Sequence, residues 1–101
     1  MTHTICLITL NVPVTLEEAM VDCLLAFENA QGFSSFIINA HDRHHQGWSR
    51  EEQVTGRQRK LCFQLYVDRD SVSALLERIK IEFVGTGIHY WLVPVLEHGE
   101  L

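Results

Sequence analysis

No apolar run in this 101-residue chain approaches the roughly 20 residues that cross a bilayer, which excludes direct membrane insertion through a helix. Residues 1–12 also lack the basic stretch and small-residue cleavage site of a signal peptide, so a cytoplasmic location is expected. Basic charge is scarce: Lys and Arg total 8 against 13 Asp and Glu, a net charge of −5. Nonspecific nucleic-acid binding needs many phosphates neutralised by Lys and Arg, and this balance argues against it. Only a local basic patch can contact an anion. Cysteine is sparse and odd in number, 3 residues (Cys6, Cys23, Cys62), each within an apolar stretch. That usage fits buried reduced thiols rather than a disulfide framework. Catalytic groupings are missing as well. No Cys/His or Ser/His/Asp set has a recognisable third orienting group, and no Gly-x-x-x-x-Gly-Lys loop is present, so an enzyme is not expected.

What remains is ordinary globular material, 47% apolar and 21% charged, enough for a single domain over residues 1–101 with one modest core. Thr4 to Leu10 is a nearly continuous β-branched run, as for a strand covered on both faces. After Pro13, Thr15 and Glu18 have capping-box spacing, so a helix is predicted from Leu16. Its stripe is Leu16, Ala19, Met20, Cys23, Leu24 and Phe27. Phe33 to His41 reads as a second strand and Gln58 to Val67 as a third. Asp68 or Asp70 is placed to cap a second helix with the stripe Val72, Leu75, Leu76, Ile79 and Phe83, ended by Gly85-Thr86-Gly87. Ile88 to Val95 is the last strand.

The order βαββαβ makes two βαβ units and predicts an α+β, ferredoxin-like sandwich: a four-stranded antiparallel sheet with two helices on one face. The other face stays uncovered. Alternation assigns Cys62, Gln64, Tyr66, His89, Trp91 and Val93 to it if Leu61, Phe63, Leu65, Ile88, Tyr90 and Leu92 meet the helices. Aromatics on an open sheet favour self-association over a monomer.

Between the second and third strands lies a polar interruption, Arg43 to Gly56, far longer than the about 2–5 residues that close a hairpin. Long loops in compact domains are usually functional or disordered. This one and its flanks hold His41, His44 and His45, Trp48 and much of the arginine. His41, His44 and His45 are candidate ligands for a transition metal, since imidazole suits zinc, copper and nickel; the spacing matches no closed zinc motif. A second conceivable soft-metal site joins Cys6, Cys62 and His89 on neighbouring strands. Arg57, Arg59 and Lys60, with Arg50 nearby, form the best candidate for phosphate or carboxylate, because arginine offers paired planar donors and lysine a point charge. Ser49 and Glu52 form another capping box, which predicts a helical turn inside the loop over 50–55.

Three segments, Gly32-Phe33-Ser34-Ser35-Phe36, Glu52-Gln53-Val54-Thr55-Gly56-Arg57-Gln58-Arg59 and His89-Tyr90-Trp91-Leu92-Val93-Pro94-Val95, together resemble a PII-like bacterial family often encoded beside heavy-metal efflux pumps. The resemblance covers nearly the whole chain. It implies a homotrimer with open sheet faces inside and a long T-loop between strands two and three. In nitrogen-regulatory PII proteins, nucleotides bind between protomers, between the T-loop base and a glycine-containing turn before the last strand. The corresponding positions here are Arg57 to Lys60 and Gly85 to Gly87.

The implied role is a regulatory sensor of a small effector, nucleotide or metal. It would signal to a protein partner through residues 43–56, with Trp48, Arg50 and Glu52 as partner-binding positions and a metal-efflux component as the partner. A loop tyrosine, the modification site of some PII proteins, is absent, and the Gly85–Gly87 turn has no lysine. The alternative reading is a direct metal-binding or sequestering protein acting through the histidine loop.

Overall fold

The computed structural model describes residues 4–27, 32–41, 49–55 and 57–101. Strand β1 spans Ile5–Pro13, α1 Glu17–Ala26, β2 Phe33–Ala40, α2 Arg50–Thr55, β3 Gln58–Asp68, α3 Val72–Glu82 and β4 His89–Pro94. The sheet order is β2-β3-β1-β4 with every neighbouring pair antiparallel. This is the predicted ferredoxin-like arrangement, with α2 as an insertion inside the long loop.

Register divides the strands by face. Ile8 pairs with Leu65 and Leu92, and Leu10 pairs with Phe63 and Tyr90. These side chains, with Cys6, Val12, Leu61 and Val67, meet Met20, Cys23 and Leu24 of α1 and Val72, Leu75 and Ile79 of α3 in one core. Phe63 is its largest fully buried member and stacks obliquely on Phe33, ring centroids 6.1 Å apart. Burying such a side chain contributes about 1.5–3 kcal/mol.

The opposite face carries no helix from the described residues. Phe36, Tyr66, Trp91 and Val93 lie there, 45%, 52%, 52% and 47% exposed. The expectation that β1 is covered on both faces is therefore corrected for the single chain: its alternate residues Ile5, Leu7, Thr9 and Asn11 are only half-buried.

Two predicted caps do not form. Pro13 leads directly into a 3₁₀ turn, Val14–Leu16, which already contains Thr15, so Leu16 occupies the cap of α1 and offers no side-chain acceptor. Glu17 and Glu18 still sit in the first turn, where the helix end is positive. Likewise Asp68 precedes a 3₁₀ turn, Arg69–Ser71, that contains Asp70, and Ser71 caps α3 without a side-chain bond. The Arg69 amide instead donates to the Thr4 carbonyl at 2.8 Å, tying this turn to the start of β1. Among the described residues no helix is long and apolar enough to cross a membrane.

Candidate effector site

The long loop leaves the sheet at Ala40 and returns at Gln58, which pair with each other. Within it the Ser49–Glu52 capping box forms as the spacing predicts. The Ser49 amide donates to Glu52 Oε1 at 2.8 Å, and the Glu52 amide to Ser49 Oγ at 3.1 Å. The Glu52 carbonyl then accepts from the Arg57 amide at 3.2 Å, drawing the far end of α2 back to the sheet. One residue thus organises both ends of the helical turn.

This closure leaves a cleft of about 510 Å³ lined by Asn39, Ser49, Glu51, Glu52, Arg57 and Arg59. Asn39 pairs directly with Arg59 across β2 and β3. Two guanidinium groups and two carboxylates line it together, so an anion there meets negative as well as positive charge. A ligand bearing both an anionic group and hydrogen-bond donors matches the cleft better than a simple anion. Lys60 follows Arg59 and therefore points to the other face, where it pairs with Ile38 and Pro13. Arg50 opens α2 but does not line the cleft. Asn39 was not legible as a contributor, because only the β2–β3 register places it opposite Arg59.

The turn before β4 is built by two glycines with positive φ, Gly85 at 75° and Gly87 at 77°, where other residues would be strained. Thr86 fastens it to the end of α3: its amide and Oγ1 donate to the Phe83 carbonyl at 3.2 and 2.6 Å. Gly85 and Gly87 edge a second cleft of about 630 Å³ between α3 and β4, whose lining includes Leu76, Ile79, Phe83, Ile88 and Tyr90. His89 pairs with Asn11, and Lys60 with Pro13, so this turn and the base of the long loop share one end of the sheet. Strands β3 and β4 flank β1, which separates the two features by roughly 10 Å at ~4.8 Å per strand. Within one chain they form two clefts.

Metal-ligand expectations fare differently. His41 is exposed at the end of β2, while His44 and His45, like Trp48, lie outside the described residues. Among the described residues no group of three His, Cys, Asp or Glu side chains could hold a metal ion. The Cys6–Cys62–His89 grouping is corrected by the register. Cys6 pairs with Val67 and Pro94 on the helix side, whereas Cys62 and His89 lie on the open face with Asn11 between them. All three cysteines are free and buried. Burial raises the Cys62 thiol above its ordinary value. Burial does the same for Cys23, reinforced by the charge of Glu82 and a hydrogen bond to it and opposed by Arg78. Such thiols stay protonated near neutrality, and the thiolate is the form that binds metal.

A family model described as a protein of unknown function, DUF3240, matches residues 1–101. A crystal structure of a DUF3240 family protein from Shewanella baltica OS155 is similar with a TM-score of 0.82, 22% identity and 99% of each chain covered. CPII, a nitrogen regulatory PII-like protein from Thiomonas intermedia K12 solved with ADP, AMP and bicarbonate, is similar at TM-score 0.73, with 12% identity over 98% of each chain. A protein from Thermus thermophilus described as PII-like and signalling follows at 0.64, with 17% identity over 92% of this chain and 88% of that one. No curated protein matches. The chain belongs to the DUF3240 family and has the PII-like, ferredoxin-like fold.

Proposed function

We propose that this protein is a PII-like regulatory sensor that assembles as a trimer through its open sheet faces. It binds a small effector at the clefts between protomers and signals to a protein partner through residues 43–56. The observation that carries this reading is the convergence, at one end of the sheet, of the Arg57–Arg59 cleft and the Gly85–Gly87 turn. The open face, on the reverse of the strand that carries Arg59, bears Tyr66, with Trp91 beside it on β4. Packing that face against another copy would bring one copy's polar cleft near its neighbour and could complete a pocket that a single chain leaves in two parts.

The effector is a small anion-bearing molecule with donors for Glu51 and Glu52. ADP, AMP and bicarbonate, with which CPII was solved, are the first candidates. Ordering the loop around a ligand costs on the order of 1–2 kcal/mol per fixed residue, so its conformation can report occupancy. The partner we propose is a component of heavy-metal efflux, following the resemblance in the sequence.

Native mass spectrometry of protein purified without chelator, then repeated with ADP, AMP, ATP, cyclic nucleotides, bicarbonate, zinc and copper, tests assembly and ligand together. A trimer taking up about one small ligand per protomer, with uptake weakened in Arg57→Ala/Arg59→Ala, supports the proposal. A monomer or dimer that takes up none of these overturns it. A trimer loading metal alone, with loss in His44→Ala/His45→Ala, transfers the function to the histidine loop.

A further inference from the structure

The cleft between α3 and β4 is not absorbed by the effector reading, which uses only its Gly85–Gly87 edge. Its walls are apolar, with Leu76, Ile79 and Phe83 from the α3 side and Leu10, Ile88 and Tyr90 from the sheet side. Ser73, Glu77 and Lys80 also line it, and all three are exposed. Their spacings of four and three put them in one row along α3. The row is therefore a polar rim above an apolar hollow. An apolar concavity of about 630 Å³ with a few charged groups at its edge has the composition of a small-molecule site.

The rim carries one charge of each sign. Glu77 and Lys80 are helix neighbours whose Cβ atoms stand about 5–6 Å apart, yet neither is in an ion pair among the described residues. Elsewhere on the same helix Arg78 and Glu82 do pair, at 3.2 Å. A simple anion in the cleft would meet the Glu77 carboxylate, and a simple cation the Lys80 ammonium. A hydrocarbon would satisfy neither. The matching ligand holds both charges close together on an apolar body. A free α-amino acid with a large apolar side chain has its ammonium and carboxylate on one carbon, whereas peptide bonds remove both groups from an internal protein segment.

We propose that the α3–β4 cleft binds a free α-amino acid with a large apolar side chain, of which phenylalanine is the type case. Glu77 receives the ammonium and Lys80 the carboxylate, and the side chain enters the hollow beside Phe83 and Tyr90. Tyr90 leaves 54% of its surface in solvent, which the ligand would cover. Burial of the side chain supplies most of the affinity. The two exposed charges contribute less and set orientation and selectivity. The site needs one chain only, without assembly or a ligand at the Arg57–Arg59 cleft, so it stands or falls apart from the effector reading.

Titration of the isotope-labelled full chain, followed by amide chemical shifts, tests the site with four probes. They are phenylalanine, phenethylamine, which lacks the carboxylate, phenylpropionate, which lacks the ammonium, and glycine, which lacks the side chain. Phenylalanine should give saturable shifts along α3 and at Gly87 and Tyr90. Glycine should bind roughly tenfold or more weakly, and each single-charge analogue about two- to fivefold more weakly. Lys80→Met should weaken phenylalanine and phenylpropionate by that same factor and leave phenethylamine unchanged; Glu77→Gln should weaken phenylalanine and phenethylamine and leave phenylpropionate unchanged. Arg57→Ala/Arg59→Ala, the variant that tests the effector cleft, should bind phenylalanine as the parent chain does. Any of four results would overturn the proposal: no saturable shifts at these amides, glycine binding as well as phenylalanine, charge substitutions that do not discriminate among the analogues, or phenylalanine binding lost with Arg57 and Arg59.

Discussion

The two faces of this sheet are built by the same alternation and reach opposite ends. On the helix side Cys6, Ile8, Leu10 and Val12 of β1 are all buried to within 3% of full enclosure, and β3 adds Phe63 and Leu65 at 0%. On the other side the same strands carry Leu7, Thr9, Gln64 and Tyr66, and the edges add Phe36 and Trp91, with no helix above them among the described residues. One face is a finished core within a single chain. The other has comparable aromatic content without a cover, which is how a sheet looks when its second layer comes from another molecule.

Substituting one aromatic on each face separates these roles most sharply. Phe63→Ala opens a cavity under both helices and should cost about 3–5 kcal/mol of unfolding free energy, read as a fall in urea midpoint. Trp91→Ala should change the unfolding of an isolated chain by less than about 1 kcal/mol, since half its surface is already in water. It should instead weaken self-association by about 2 kcal/mol or more, as central aromatic anchors of interfaces do. Sedimentation over a concentration series measures that second effect. If Trp91→Ala unfolds the chain without altering assembly, the open face is part of the fold and the contrast collapses.

The contrast was legible because β-strand alternation depends only on local order. Residues 61–67 and 88–93 therefore carry their faces in the sequence, and the strands end within about three residues of where the pattern puts them. Caps were less legible. Thr15/Glu18 and Ser49/Glu52 have the same spacing, yet only the second box forms. Pro13 feeds a turn that absorbs Thr15 into helical backbone, and a cap residue must stand outside the helix it caps. The candidate site was half legible. Arg57 and Arg59 were found by charge, but grouping Lys60 with them followed the chain rather than the pleat, which sends Lys60 to the opposite face. Asn39 depends on a register fixed across β2 and β3 as a whole.

That division between Arg59 and Lys60 supplies a smaller test. Arg57→Ala and Arg59→Ala should each weaken effector binding by about 1.5–3 kcal/mol, the usual worth of a hydrogen bond to a charged group, measured by calorimetry. Lys60→Ala should affect assembly more than binding, because its side chain lies on the open face. Equal losses from all three would mean that the effector spans both faces. Ser49→Ala removes one half of the capping box and should cost about 1 kcal/mol of local stability, visible as faster hydrogen exchange of the Glu52 amide with global unfolding unchanged.

The two thiols raised by burial give the smallest effect and the most direct comparison, because Cys23 lies on the helix side and Cys62 on the open face. Cys23 is protonated beside Glu82 under the helices, and Cys62 is protonated by burial on the open face. Both folded thiols titrate above their ordinary value near 9.0. The unfolded chain therefore loses these protons first as pH rises, and deprotonation stabilises the unfolded state. Their contribution to stability is complete below the unfolded thiol value and is lost as pH climbs through the folded ones. Urea midpoints should stay level with respect to these groups below that value and decline above it, with a shallower decline in Cys23→Ala and in Cys62→Ala once each is compared with its own neutral-pH midpoint. Alkylation tells the two faces apart. Cys62 should label more slowly as protein concentration rises and copies cover the open face, whereas Cys23 should label at one rate throughout. A concentration-independent rate at Cys62 would mean that nothing closes over that side of the sheet.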